Sequence, residues 1–117
     1  MGDPRRGPYL KWLFYVPSCI EPAMLERAFP RKEPVGRSTA GFGDFDTVMD
    51  VLAKATGTAS PYLLGDRLTA ADVIIGSALR WGMLFKLIPE RSEFAGYVAR
   101  WTARPAFKRA TELDAGA

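Results

Sequence analysis

The feature that most limits how this chain can fold is Leu68-Thr69-Ala70-Ala71-Asp72-Val73, followed by the apolar run Ile74 to Ile88. Thr69 and Asp72 stand three apart. The Thr69 side chain can therefore accept from the Asp72 amide while the Asp72 carboxylate reaches back to the Thr69 amide, a capping box with Asp where Glu or Gln is more usual. Leu68 and Val73 are spaced to close over it as a hydrophobic staple. The helix that follows carries Val73, Ile74, Ile75, Ala78, Leu79, Trp81, Met83, Leu84 and Phe85 all round its circumference, and Arg80 is its only charge before Lys86. A helix apolar on every side belongs inside a protein. Gly76, Ser77, Ala78 and Gly82 offer small surfaces for close helix neighbours, so the spacing predicts a central, buried helix. A bilayer span needs ~20 apolar residues, and Arg80, Lys86 and Pro89 interrupt this run.

Other helices are expected around it. Met1 to Pro8, rich in Gly, Pro and Arg, reads as a tail or linker remnant, and residues 9–117 as one domain. From Tyr9 onward Leu10, Leu13, Phe14 and Pro17 hold one helical face, which Trp12, Tyr15 and Val16 broaden. That predicts a first helix near residues 8–29, bent or split where Pro17 or Pro22 removes a hydrogen bond. Pro30 to Gly43 shows no hydrophobic period and reads as a loop. Asp44 is placed to cap a second helix on Phe45, Val48, Met49 and Leu52, ending near Gly57. Ser92 is placed to cap a short helix burying Phe94, Tyr97, Val98 and Trp101. Pro105 suits the first position of a last helix, with Phe107 and Ala110 as its buried contacts. No segment alternates as a half-buried strand does. The fold class is all-α, a bundle of about five helices around the central one.

Composition narrows the chemistry. The chain has 117 residues, enough for a single core, with 48% hydrophobic and 25% charged residues as in globular domains. Its 16 basic and 13 acidic residues leave a net charge of +3, mixed along the sequence without a basic stripe, so no nucleic-acid partner is expected; Arg27 to Arg37 reads as a solvated loop. The lone Cys19 excludes an internal disulfide and favours a reducing compartment. Trp12 to Val16 is too short for a secretory core. A cytoplasmic protein with no membrane partner is the expectation. The sequence contains no His, which removes His-based triads and the commonest zinc ligand. Gly41-Phe42-Gly43 lacks the rest of a phosphate loop.

Pro61-Tyr62-Leu63-Leu64-Gly65-Asp66-Arg67-Leu68-Thr69-Ala70-Ala71-Asp72, with Leu79-Arg80-Trp81, Tyr97-Val98-Ala99-Arg100 and Ala103-Arg104-Pro105-Ala106 further on, resembles the C-terminal helical domain of bacterial glutathione S-transferases, the beta class and its relatives above all. The likeness runs from about Tyr9 to about Ala110. It implies a domain that lines the pocket for an apolar co-substrate, here through Phe14, Ser18, Glu21 and Pro22 on the first helix and Trp81 on the central one, with Thr69 and Asp72 as a structural cap and no catalytic or metal-binding residue. No βαβ pattern precedes Tyr9. The thioredoxin-like domain that holds glutathione in this family is thus expected to be missing, and with it transferase activity and any cofactor. Glutathione enters only as co-substrate of the full-length family. The expected partners are an apolar small molecule and either a second copy of the chain, forming a homodimer, or a separate thioredoxin-like domain. The alternative is a non-catalytic association module of the same fold. Cys19, with no cation near it in sequence, reads as a buried or idle thiol.

Overall fold

A computed structural model describes residues 2–117. Its helices follow in the order α1 (Arg6–Tyr15), a π turn (Val16–Ile20), α2 (Glu21–Ala28), α3 (Phe45–Thr58), α4 (Ala70–Leu84), α5 (Ser92–Thr102) and α6 (Pro105–Ala115). Among the described residues there is no strand, only one isolated bridge between Tyr62 and Gly65. The all-α expectation holds. Because the π turn joins α1 and α2 without a break, the elements form five rods.

The first rod starts at Arg6, inside the segment read as a tail. Pro8 falls in its first turn, where an amide would have no helical partner anyway. Ahead of it the Asp3 carboxylate accepts from the Arg5 amide at 2.8 Å and pairs with the Arg5 guanidinium at 2.8 Å, which holds the Asp3 carboxyl down to about 2. The irregularity expected at Pro17 or Pro22 lies between them, in a π turn over Val16–Ile20. A proline inside a helix lacks the amide and crowds the carbonyl four residues back; for Pro22 that carbonyl is Ser18, inside Val16–Ile20, where the Glu21 amide bonds to the Val16 carbonyl and the helix widens into a π turn. Pro17 stands near the start of that turn and Pro22 just beyond it, in the first turn of α2.

Local caps act where the sequence placed them, with one exception. Asp44 caps α3, its carboxylate accepting from the Thr47 amide at 2.8 Å; that bond, helped by Arg37 at 2.6 Å, lowers its pKa. Pro105 opens α6. Ser92, expected as a cap, is instead the first residue of α5, and its hydroxyl donates to Glu93 at 3.2 Å.

Thr69 and Asp72 form the capping box of α4, weighted to one side. Oδ2 of Asp72 accepts from the Thr69 amide at 2.9 Å and from the Thr69 hydroxyl at 3.2 Å. The Asp72 amide goes to the main-chain oxygen of Thr69 at 3.0 Å. Asp72 does more than cap. It is fully buried, and Oδ1 accepts from the Leu63 amide at 2.9 Å and from the Tyr97 hydroxyl at 2.7 Å. One carboxylate thus ties the incoming loop, α4 and α5 together without a cation. Burial, then the bond to Asp72, raises the pKa of Tyr97.

Ala71, Ile75 and Leu79 of α4 share one buried core with Ile20 and Ala23 of the first rod, Val48, Met49 and Leu52 of α3, and Phe94 and Tyr97 of α5. Close approach has a visible cause at two glycines. A Cβ on Gly76 would stand 3.0 Å from the Trp101 ring, and one on Gly82 would stand 2.5 Å from Cδ1 of Ile88. After α4 the chain reverses at Lys86, whose φ is 58°, and folds Ile88 back onto Gly82.

Two expectations about burial fail. The central helix is not enclosed: Trp81 is 50%, Phe85 56% and Leu84 66% exposed, and Val73 is exposed too. The Ala71, Ile75 and Leu79 face packs on other helices, as does Gly76, while Val73, Ser77, Arg80, Trp81 and Leu84 on the far side are exposed. The α6 contacts expected to be buried are not; no α6 residue is, Ala110 is exposed and Phe107 is half-buried against Trp101, ring centroids 4.7 Å apart.

Candidate functional site: an apolar cleft between the first rod and the central helix

The uncovered face of α4 is one wall of an open cleft of about 730 Å³. Val73, Ser77, Arg80 and Trp81 come from α4, where spacings of three and four residues stack side chains on one face. Glu21, Leu25 and Phe29 line the facing wall, again at four-residue steps along α2 and its end. Trp101 and Phe107 close one end. Trp81 leans on Phe85 with ring centroids 4.7 Å apart, and the Arg80 guanidinium lies 5.5 Å from the centroid of Phe107.

Of the residues expected to form a pocket, Glu21 and Trp81 line this cleft, whereas Phe14, Ser18 and Pro22 do not. Phe14 and Ser18 are exposed and Pro22 is half-buried. The reason is the π turn. Phe14, Ser18 and Glu21 share a face only on a regular α-helix, and the π turn between Phe14 and Glu21 closes with i→i+5 bonds, so the face slips before Glu21 is reached. Sequence reasoning missed Leu25, Phe29, Val73, Arg80 and Phe107. A phase restarted at Glu21 finds Leu25, Ala28 and Phe29 at once, and α4 gives Val73, Ser77, Arg80 and Trp81 at the same spacing.

The chemistry on offer is that of binding and orientation. The walls are apolar, and their charged side chains are Glu21 and Arg80, which make no ion pair with each other. Cys19 is outside the lining, and burial raises its thiol pKa, so it is neutral at ordinary pH. Tyr15, likewise outside, is pushed up to about 12 by burial, and its hydroxyl donates to the Val48 carbonyl at 3.3 Å. A smaller hollow of about 360 Å³, where Arg5, Arg6 and Arg67 gather near Thr69, lies at the start of α1. Among the described residues no group of three potential metal ligands comes together, and no helix is long and apolar enough to cross a membrane.

Comparison with protein families, with curated proteins and with solved structures found no match. Fold and cleft therefore define the molecule by themselves, as an all-α helical bundle with an open apolar cleft along its central helix.

Proposed function

We propose that this chain is a glutathione S-transferase-like helical domain whose cleft binds an apolar small molecule. The observation that carries the reading is the apolar cleft itself, with Trp81 and Glu21, both expected from the resemblance, on its facing walls. Cavities of this size, apolar with a few polar groups, are how proteins hold small ligands. In a transferase the domain would present an apolar electrophile to a glutathione thiolate held on a thioredoxin-like domain, a contribution of proximity and orientation. On this reading the thiolate is held by the thioredoxin-like domain, and this domain acts as the co-substrate half of a cytoplasmic enzyme and is inactive by itself.

Calorimetric titration with decan-1-ol, an uncharged apolar probe, tests this. Saturable binding that Leu25→Asp abolishes, with no heat on adding glutathione, supports the reading; no saturable binding to the folded protein contradicts it.

A second reading, association, draws on a separate observation. Phe14, Leu84 and Phe85 are exposed and outside the cleft lining, and large wet apolar patches commonly mark interfaces. Pairing with a second copy or with a thioredoxin-like domain would cover them.

A further inference from the structure

The cleft is not uniformly apolar, and its polar groups are unevenly placed. Arg80 and Ser77 stand three residues apart on α4, hence on the same stretch of wall. The Arg80 guanidinium is held against Phe107, and no carboxylate among the described residues pairs with it. Ser77 is free as well. Thr56, Thr58, Thr102 and Thr111 each donate their hydroxyl to the carbonyl four residues back, whereas Ser77, also on a helix, makes no side-chain hydrogen bond among the described residues and lines the cleft. Trp81 follows with an indole N–H, a donor only. Arg80, Ser77 and Trp81 thus bring hydrogen-bond donors to the α4 wall, while the carboxylate of the lining, Glu21, is on the facing α2 wall.

We propose that the ligand is an amphiphilic carboxylate, its head group seated on Arg80 and Ser77 and its apolar body lying over Trp81, Leu25 and Phe29. The guanidinium fork matches a carboxylate in two parallel hydrogen bonds, and the ring of Phe107 beneath it limits the orientations it must give up. Glu21 fixes the direction of binding. Its carboxylate is on the α2 wall and repels a second anion, so the head group goes to α4 and the tail runs toward α2. This inference rests on the cleft reading above, since it specifies what that cleft takes.

The test compares decanoate with decan-1-ol by calorimetry on the full chain, on Arg80→Gln and on Ser77→Ala, with thermal melts to confirm that each variant is folded. Charge-assisted hydrogen bonds in a partly dry site predict decanoate binding about tenfold tighter than the alcohol. Arg80→Gln should remove that preference, Ser77→Ala should reduce it by less, and added salt should weaken decanoate more than decan-1-ol. Equal affinity for the two probes, or a preference for decanoate that survives Arg80→Gln, overturns the carboxylate assignment and leaves the cleft reading standing. Binding of neither probe overturns both.

Discussion

Asp72 illustrates how a single side chain can exceed the role its motif assigns. Its four hydrogen bonds reach Thr69 twice, Leu63 and Tyr97, so the replacements that remove them should fall in a definite order. Thr69→Ala loses one hydroxyl and keeps the amide bond, a cost of about 0.5–2 kcal/mol. Tyr97→Phe leaves Oδ1 with one donor fewer and should cost about 1–3 kcal/mol. Asp72→Ala strands two amides and a buried hydroxyl at once and should exceed both, at about 3–5 kcal/mol, a large part of the stability of an ordinary domain. Urea unfolding of the three variants checks the order, and a Thr69→Ala cost equal to that of Asp72→Ala would contradict it. The tyrosines add a pH dependence. Burial raises the pKa of Tyr97 and pushes Tyr15 up to about 12, while an unfolded tyrosine titrates near ~10. Above that the unfolded chain binds fewer protons than the folded one, so stability is full below pH ~10 and falls as pH rises beyond it. Tyr97→Phe should make that alkaline fall shallower, and urea midpoints measured at several values from pH 8 to 11 would show it; a fall as steep as in the parent chain would remove Tyr97 as a cause.

Among the elements, the legible features were those decided locally. Asp44, Thr69 and Pro105 announce helix starts because each acts on amides within one turn of itself. The rest depended on distant partners. The apolar circumference of α4 reads as full burial, yet the bundle covers mainly its Ala71, Ile75 and Leu79 side, and part of the uncovered remainder is the cleft wall. Nor could spacing alone show that the chain between Pro17 and Pro22 widens into a π turn, which takes Phe14 and Ser18 out of phase with Glu21 and leaves them outside the cleft lining. Gly82 was legible as a small residue but not by its neighbour, since Ile88 reaches it only after the chain reverses at Lys86. That neighbour reverses the usual effect of removing a glycine from a helix. At Gly96, exposed on α5 with only the far end of Arg100 at 3.8 Å, alanine should stabilise by up to ~1 kcal/mol. At Gly82 the added Cβ would meet Cδ1, Cγ1 and Cβ of Ile88 at 2.5, 2.7 and 3.1 Å, and overpacking of about 1–3 kcal/mol outweighs the propensity gain. Opposite shifts in melting temperature are expected, and a Gly82→Ala variant that melts higher would mean that Ile88 does not rest there.

Taken whole, the molecule has its core on one side of α4 and a wet apolar surface on the other. Part of that surface is the cleft, and part lies beyond it at Leu84 and Phe85. The two parts should separate experimentally. Light scattering on a Leu84→Glu, Phe85→Glu double variant should report a monomer if these residues pair copies of the chain, and decan-1-ol should bind as before because neither residue lines the cleft. Loss of ligand binding together with association would merge the two surfaces into one. The most direct measurement is of where a ligand goes. Amide chemical shifts of isotope-labelled protein, followed as decan-1-ol is added, should move at Glu21 to Phe29, at Val73 to Trp81 and near Phe107, and stay fixed on α3. Shifts spread over the whole chain, or gathered away from α2 and α4, would contradict a ligand site between them.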